Sequence, residues 1–448
     1  YGANASNAAF ATDWAATDAA GNVVAYTGYS ADSFGTGLQT DVQSAGLTAA
    51  TTNSIRFNTA AGTITSGALV LNEGGLLITS NYTGGTPIAA GVGLTTAGSG
   101  IDLLIHNYAT GVVNFDGTIT GAQNVVFTGT GELAFTSPSS VSSSVVSSTT
   151  VNNSYTVTVG STAGLTAGMD VSGVGIAAGT KILSITNGTT LVLTKLVTGP
   201  GTNDLTYSTT SYTPANTYTG ATHITGSAVV SFNNVGAFGS TSGFLLNGGT
   251  LNYSGIGATS SPLTQNITLG GNNGIISVSD AGSTLVIRGA ANQFSSEASN
   301  IITAYGTNNP NAGGLQIVGS GTVQFGDRSG FFNTTTEDLL GVVNNYTGLT
   351  ILGDGINALR VDIQGKGNSN AQYAPFGTTQ SWADGTIIKN NVTVEFSMVR
   401  DASRTGQLRF REWFQIGEQA GDQILFDGST QRQPTFDGIL NIIGDLTF

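Results

Sequence analysis

The sequence contains no cysteine, and only 9% of its 448 residues are charged. The lack of thiols excludes disulfides, thiolate metal sites and cysteine-based redox chemistry. The 13 basic residues form no Lys/Arg cluster and are outnumbered by 26 acidic residues, which disfavours nucleic-acid binding. No hydrophobic run approaches the ~20 residues of a membrane-spanning helix, so we expect no membrane insertion.

Small polar residues take the place of the missing charges. A typical globular chain has about 25% charged residues, whereas this one is rich in threonine, serine and asparagine and contains 65 glycines. These residues disfavour helix interiors, because short polar groups compete for the backbone and glycine loses more conformational entropy. Valine, isoleucine and leucine alternate with them at a period of two, and the sequence therefore predicts an all-β fold.

Internal repetition is the strongest pattern in the sequence. The tripeptide Tyr-Thr-Gly begins at Tyr26, Tyr82, Tyr218 and Tyr346. Longer blocks recur around it: residues 129–135 parallel 319–325, 216–224 parallel 344–351, 237–239 parallel 375–377, and 249–251 parallel 385–387. Each block is a short alternating strand closed by Gly, Asn or Asp, which is typical of a strand and turn. A single rung of this kind cannot bury its apolar face alone, so stacked rungs of a β-solenoid are predicted.

One stretch departs from this repeat. A serine-rich run, residues 137–150, precedes a different set of short strands at 155–159, 168–171, 181–185 and 190–193. Insertions are cheap at loops between rungs. We therefore predict three units: an N-terminal β-solenoid at 1–138, a small inserted β-domain at 139–213, and a C-terminal β-solenoid at 214–448.

The repeated blocks resemble the autotransporter-associated β-strand repeat of large bacterial surface proteins. The matching residues are 216–224, 289–292 and 344–351, and Trp14 with 24–28 and 54–59 is similar to the region that precedes such repeats. The resemblance implies a right-handed parallel β-helix that is secreted or displayed on the cell surface. It also implies a role in adhesion or in building a surface layer.

Parallel β-helices also include enzymes that cleave polysaccharides, so the acidic residues need an explanation. Glycoside cleavage needs two carboxylates that face one groove. Four aspartates, Asp116, Asp384, Asp427 and Asp437, precede glycine, which is ordinary turn chemistry. The densest acidic set is interleaved with arginines and predicts an ion-paired, solvated face: Glu412, Glu418, Asp422 and Asp427, with Arg409 and Arg411. In a lyase, Arg404 or Arg409 would have to act as the proton acceptor.

Other candidate sites are weaker still. The two histidines are interpreted as structural: His223 as an outward strand residue and His106 as an edge residue with its hydrogen bonds satisfied. Residues 173–181 resemble a phosphate loop only superficially, because the lysine follows the threonine and no helix is predicted after it. No calcium-loop pattern is present. We therefore assign no catalytic, cofactor-binding or metal-binding residue.

The functional prediction follows from the fold. Tyrosines that recur in register favour structural stacking over a carbohydrate-binding strip. We predict an extracellular or cell-surface structural protein, without enzymatic activity, that self-assembles into a fibre or layer, mediates adhesion, or does both. Because a terminal rung presents unpaired backbone groups, association through solenoid ends or edges is expected. A glycan or another cell-surface molecule is a further possible partner, and the alternative is a polysaccharide-binding or polysaccharide-cleaving β-helix protein.

Overall fold

The computed structural model describes residues 12–287, except 99, 137–138, 167, 178–179, 213–215, 256–259 and 264. Beyond residue 287 it describes 302–304, 313–326, 344, 346, 348–366, 372–373, 376 and 386–399, and the short strands that follow. The described residues form strands joined by turns and loops, with one 3-10 helix at Val235–Phe238. None of their helices is long or apolar enough to cross a membrane.

Thirteen strands precede the insertion. They are β1 Ala15–Thr17, β2 Val23–Ala25, β3 Ser30–Ala31, β4 Gln39–Val42, β5 Leu47–Phe57, β6 Ile64–Ile78, β7 Gly85–Ile88, β8 Gly93–Thr96, β9 Leu103–Asn107, β10 Val113–Phe115, β11 Thr118–Ile119, β12 Val125–Gly129 and β13 Glu132–Phe135. The first two form an antiparallel hairpin, and the others pair in parallel.

Six strands form the insertion: β14 Ser139–Thr150, β15 Thr156–Val159, β16 Asp170–Ser172, β17 Thr180–Asn187, β18 Thr190–Leu193 and β19 Gly201–Tyr212. The strands that follow are β20 Thr222–Thr225, β21 Val229–Phe232, β22 Phe244–Asn247, β23 Thr250–Tyr253, β24 Ser260–Leu263, β25 Ile267–Leu269, β26 Gly274–Val278, β27 Thr284–Ile287, β28 Ile302–Ala304, β29 Leu315–Gly319, β30 Thr322–Phe325, β31 Thr350–Leu352, β32 Leu359–Lys366, β33 Gln372–Tyr373, β34 Thr386–Ile388, β35 Val392–Val399, β36 Arg409–Phe410, β37 Phe414–Ile416, β38 Gln423–Phe426, β39 Thr435–Phe436 and β40 Leu440–Ile442.

Strands of successive rungs stack in parallel columns. One column contains β4, β9, β12, β20, β22, β25 and β28, with the C-terminal halves of β5 and β6. A second contains β7, β10, β13, β21, β23, β26, β29, β31, β34, β37 and β40. A third contains β24, β27, β30, β32, β35 and β38. The predicted fold class, an all-β parallel β-helix with a small inserted β-domain, is confirmed.

The period-two pattern explains which side chains fill the solenoid. In β26 and β29, buried residues alternate with half-buried ones, because successive side chains point to opposite faces of a strand. The inward-facing Leu, Ile, Val, Phe and Tyr side chains of the described rungs join into one hydrophobic core. Each rung therefore buries its apolar face against its neighbours rather than by itself.

Glycine is required at the corner that opens the Gly-x-Gly blocks. Gly129 and Gly319 occupy equivalent corners, and both have φ of +109°. A Cβ at Gly129 would lie 2.0 Å from the carbonyl oxygen of Asn107, and one at Gly319 would lie 2.2 Å from that of Val278. Only glycine tolerates both the backbone angle and the close approach to the previous rung.

The insertion leaves the solenoid and returns to the same rung. Thr222 pairs with Val125, which lies 97 residues earlier, but with Phe244 only 22 residues later. The returning chain is fixed by the Asn216 side chain, whose Oδ1 accepts a 2.7 Å hydrogen bond from the backbone N–H of Ile119. Thr217 N–H donates to the Ile119 carbonyl at 2.9 Å. The parallel stacking of β12 and β20 is therefore uninterrupted.

The insertion is a closed antiparallel barrel with strand order β14-β15-β18-β17-β16-β19. It has a hydrophobic core of its own, built from eleven buried residues that include Leu191, Leu205 and Tyr207. Its first and last strands pair along their whole length, from Ser139 with Tyr212 to Thr150 with Gly201. The first and last residues of the insertion, Ser139 and Tyr212, therefore lie side by side at one end of this ribbon.

Candidate functional site

The repeated tyrosines lie inside the solenoid in three of the four repeats. Tyr82, Tyr218 and Tyr346 are at most 1% exposed. The hydroxyl of Tyr218 forms a 2.6 Å hydrogen bond with Thr222 Oγ1, and Tyr346 forms the same contact with Thr350 at 2.5 Å. The prediction that these tyrosines are structural is confirmed, since no glycan could reach a ring that is buried in this way.

Tyr26 is the exception. It follows the hairpin β1–β2, is partly exposed, and donates its hydroxyl hydrogen bond to the nearby Gly28 carbonyl at 2.9 Å. Its ring packs edge-on against Tyr29, with 5.0 Å between the ring centroids. The same sequence motif therefore takes a different position where the chain forms an antiparallel hairpin instead of a rung.

The glycine of the tripeptide is also part of the stacking. A Cβ at Gly220 would lie 2.1 Å from the Gln123 carbonyl oxygen of the previous rung. At Gly348 it would lie 2.4 Å from the backbone of Gly313. Tyrosine, glycine and the threonine four residues after the tyrosine thus all make contacts within the fold, and none of them forms a ligand site.

Among the described residues, a cluster of charged side chains lies on the outer face of the first rungs. Arg56 donates two hydrogen bonds to Asp41, Nε to Oδ1 at 2.9 Å and Nη2 to Oδ2 at 2.8 Å. Its Nη1 donates to Asp13 Oδ1 at 2.5 Å and to the Thr12 carbonyl at 3.1 Å. Asp41 and Arg56 face each other because β4 and β5 pair in register.

Two aromatic residues complete this cluster, which we call the Arg56 anchor: Asp13, Trp14, Tyr29, Asp41 and Arg56. The guanidinium carbon lies 3.6 Å from the centroid of the Tyr29 ring, a cation–π contact. Tyr29 Oη accepts a 2.8 Å hydrogen bond from the backbone N–H of Trp14, and burial raises the pKa of Tyr29 to about 12. The anchor therefore fixes the N-terminal hairpin to the outer face of the solenoid.

His106 lies under this hairpin and not at an edge. It sits in the middle of β9, between Leu77 of one neighbouring strand and Thr128 of the other. Trp14 packs edge-on against its imidazole at 5.3 Å, and the histidine is 6% exposed. Its Nδ1 has no hydrogen-bond partner among the described residues. The predicted satisfied edge residue is thus wrong, because the hairpin covers an outward-facing position.

The two histidines differ in burial. Burial lowers the pKa of His106 to about 4, so this imidazole is neutral near pH 7. His223 faces outward from β20 and is half-buried, as predicted, and partial burial lowers its pKa while Asp102 opposes the shift. Neither histidine is hydrogen-bonded to a serine in the contacts of the described residues, and no catalytic triad is formed by them.

Several of the described carboxylates anchor or cap the chain. Both carboxylates of the Arg56 anchor are engaged by one guanidinium. Elsewhere Asp18 accepts hydrogen bonds from Asn22, which lower its pKa, and closes the hairpin turn. Asp32 caps the Gln43 and Ser44 N–H groups, and Asp354 caps those of Ile356 and Asn357. Within the described part of the chain, no three His, Asp or Glu side chains converge as metal ligands.

Most of the charged positions singled out from the sequence lie outside the described residues. These are Asp384, Asp427, Asp437, Glu412, Glu418, Asp422, Arg404 and Arg411. Arg409 begins β36, and its side chain is not described. Asp116 is exposed at the bend between β10 and β11, and residues 173–177 form the predicted turn of the inserted domain.

The Arg56 anchor was not predicted from the sequence. Its members are 15 and 43 residues apart along the chain, and neither spacing corresponds to a known motif. The sequence contains one indication of it, because Arg56 lies in the alternating segment 54–57 of a strand. A charged side chain that is buried there requires a partner in a neighbouring rung.

No protein-family model matches the chain, and no curated protein matches it either. Among solved structures, the chain is similar to the Gp54 tailspike of Acinetobacter baumannii bacteriophage AP22, a structure in complex with A. baumannii capsular saccharide. The sequence identity is 10%, and the match covers 87% of this chain and 68% of the tailspike chain, with a TM-score of 0.18. At this TM-score the similarity contributes nothing to the argument about function, which rests on the geometry of the rungs.

Proposed function

We propose that the chain is a non-enzymatic structural protein of a bacterial surface, of the autotransporter-associated β-strand repeat kind. In this proposal the protein is extracellular and the solenoid is a stiff scaffold. It assembles with further copies through its ends or edges, and it displays the inserted barrel for attachment.

The use of the repeated motif inside the fold is the observation that supports this proposal. In the Tyr218 repeat, the hydroxyl, Thr222 and Thr241 form one buried chain of hydrogen bonds, with 2.6 Å and 2.9 Å between oxygens. A motif that recurs to bind a ligand would instead present its side chains to solvent. Repetition that serves stacking is expected of a protein whose length and stiffness are its function.

The position of the barrel fits the display of a module. Its first and last strands pair with each other in the β14–β19 ribbon, and its core is separate from that of the solenoid. A module attached in this way adds surface without altering the stacking of the rungs that it interrupts.

The first rungs provide an edge for assembly. Residues 47–52 of β5 pair on one side with β6, whereas the other described neighbour, β4, pairs only with residues 54–57. Ala50 is exposed on this segment. An edge that is paired on one side can accept a strand from another copy of the chain.

Sedimentation velocity and electron microscopy over a range of protein concentrations test the proposal. We expect growing oligomers, and Ala50→Lys should shift assembly to higher concentration, because a charge on an edge opposes strand addition. The matched control is Ala134→Lys on β13, whose residue is paired on both sides, with Asn114 and Ser231. That control should assemble as the unmodified chain does.

Two results would contradict the proposal. One is a strictly monomeric protein at every concentration. The other is cleavage of a polysaccharide by the purified chain, which would select the enzymatic alternative. Binding to a glycan array without cleavage would place the protein among adhesins and would retain the structural role of the solenoid.

A further inference from the structure

The chain contains three Asn-Gly pairs, at residues 187–188, 247–248 and 273–274. In such a pair the glycine nitrogen can attack the asparagine side-chain carbonyl, since glycine has no side chain to obstruct the approach. The reaction depends on whether the backbone N–H is free and whether the side-chain carbonyl is polarised. The side-chain carbonyl accepts a backbone hydrogen bond in all three pairs, so the pairs differ in the first condition, the freedom of the glycine N–H.

At residues 187–188 both conditions are met. The pair lies in the turn between β17 and β18 of the barrel, and Asn187, Gly188 and Thr189 are all exposed. Asn187 Oδ1 accepts hydrogen bonds from the Thr189 N–H at 2.9 Å and from Thr189 Oγ1 at 3.1 Å. These donors stabilise negative charge on this oxygen as the carbonyl is attacked. Within the described residues the Gly188 N–H donates no hydrogen bond.

In the solenoid, the corresponding nitrogens are held by the next rung. Gly248 N–H donates to the Asn273 carbonyl at 2.5 Å, and Gly274 N–H donates to the Gly314 carbonyl at 3.0 Å. The Asn273 side chain is held as well, because its Oδ1 accepts from Gly314 N–H at 2.6 Å. Attack at these two pairs requires the contact between rungs to open first.

We propose that Asn187 is a self-modification site, at which the folded barrel converts its own asparagine to aspartate and isoaspartate. Gly188 N loses its proton to solvent hydroxide and forms a bond to Asn187 Cγ, and the side-chain nitrogen leaves as ammonia. The resulting succinimide is opened by one water molecule at either carbonyl. No oxidant or cofactor takes part, and water is the only co-reactant.

The product changes the barrel in two ways. It adds one negative charge to an exposed turn of a chain whose net charge is already −13. Where isoaspartate forms, the backbone gains a carbon at the end of β17, and the pairing of Asn187 with Thr190 is disturbed. Of the three Asn-Gly pairs, the one in the hairpin β17–β18 is therefore the first to be converted.

Peptide mapping by mass spectrometry after incubation of the intact, folded chain at mildly alkaline pH tests this assignment. The peptide with Asn187 should show the mass increase of amide-to-acid conversion at least about tenfold faster than those with Asn247 and Asn273, because the latter require local opening. In denaturant all three pairs should react at similar rates, which provides the internal reference.

Two variants separate the causes. Gly188→Ala should abolish most of the conversion by obstructing the attack. Thr189→Val, which removes the hydroxyl donor but retains the backbone N–H donor, should slow it by roughly two- to threefold. Conversion of Asn247 or Asn273 in the folded chain as fast as Asn187 would overturn the proposal. So would an Asn187 amide that stays intact while the denatured chain reacts.

Discussion

The solenoid and the inserted barrel bury similar aliphatic side chains. They differ in how far apart along the chain their paired strands lie. In the solenoid a typical strand pairs in parallel with strands of the rungs before and after it, as β20 does with β12 and β22. In the barrel, strands pair antiparallel, and the hairpin β17–β18 closes within a few residues. The first and last strands of the insertion, β14 and β19, pair with each other and so close the barrel.

This difference determines where each part is sensitive to change. A solenoid residue touches the rungs on both sides, so its backbone and its buried charges are fixed by distant parts of the chain. A barrel residue at a turn has solvent on one side. We therefore expect substitutions at close backbone contacts and at buried charges to cost more in the solenoid than in the barrel, and four predictions compare the two regions.

The largest difference is expected for the two ion pairs. Arg56→Met would leave Asp41, which is 3% exposed, as a buried carboxylate without its guanidinium, and should lower the free energy of unfolding by about 3–5 kcal/mol. Lys181→Met in the barrel should cost under about 1 kcal/mol, since Lys181 and Asp170 retain 24% and 32% side-chain exposure. Denaturant unfolding of both variants measures the difference.

The Arg56→Met/Asp41→Asn double variant controls for the cause. Because it removes the uncompensated charge, it should recover much of the stability that Arg56→Met loses. Equal costs for Arg56→Met and Lys181→Met would contradict the structural role of the Arg56 anchor.

Glycine substitutions give the next comparison. Gly220→Ala places a Cβ 2.1 Å from the Gln123 carbonyl oxygen, which must force neighbouring rungs apart, and we expect a loss of about 3 kcal/mol. Gly160→Ala in the barrel has no atom within 4 Å of the new Cβ and should change the free energy of unfolding by less than about 0.5 kcal/mol. Tolerance of alanine at Gly220 would show that the rungs are not packed as closely as described.

A pH titration should change the stability of the solenoid more than that of the barrel, because the histidines lie in the solenoid. Both histidines, His106 and His223, lie in the solenoid, and the barrel has none. His106 has a folded pKa of about 4 against an ordinary value of 6.5, so the unfolded chain takes up the proton first as pH falls. The solenoid should therefore lose on the order of 2 kcal/mol between pH 7.5 and pH 5.

Hydrogen exchange resolved by peptide measures this loss region by region. Solenoid peptides should lose protection as pH falls below 6.5, after correction for the intrinsic exchange rate, and barrel peptides should not. His106→Phe, which can still pack against Trp14, should remove most of the effect. An unchanged pH dependence in that variant would show that His106 is not the group responsible.

The smallest difference is expected for buried tyrosine hydroxyls. Tyr218→Phe in the solenoid and Tyr207→Phe in the barrel each remove one hydroxyl, bonded to Thr222 and Ser148 respectively. Each should cost about 1 kcal/mol, because a buried hydrogen bond contributes similarly in either context. A cost at Tyr218 several times that at Tyr207 would mean that the buried hydrogen-bond chain is cooperative.

Much of the solenoid could be predicted from the sequence because structurally equivalent positions recur in successive repeats. The parallel between 129–135 and 319–325 marks two equivalent corners, and Phe238 and Phe376, at equivalent positions of the parallel blocks 237–239 and 375–377, are both buried. Such correspondences need no knowledge of the distance between rungs.

Contacts that depend on how neighbouring segments are placed against each other could not be predicted. The pairing of Asp41 with Arg56 requires the register of β4 on β5, and the burial of His106 requires the position of the N-terminal hairpin. The order of strands in the barrel was also beyond reach, because the serines and threonines of β14 and β19 carry no signature of their partners. Sequence repeats therefore indicate where the rungs are. A contact that occurs only once between two rungs leaves no repeat in the sequence and cannot be recognised in this way.

Deletion of residues 139–212 tests most directly the claim that the solenoid is continuous and that its stability does not depend on the inserted barrel. The remaining residues 136–138 and 213–215 would join β13 to Asn216 across a short loop. We expect the solenoid of this variant to unfold with a free energy within about 1 kcal/mol of its value in the intact chain, because loop-closure entropy changes slowly with loop length. Loss of protection at β12 and β20 in hydrogen exchange would contradict the account.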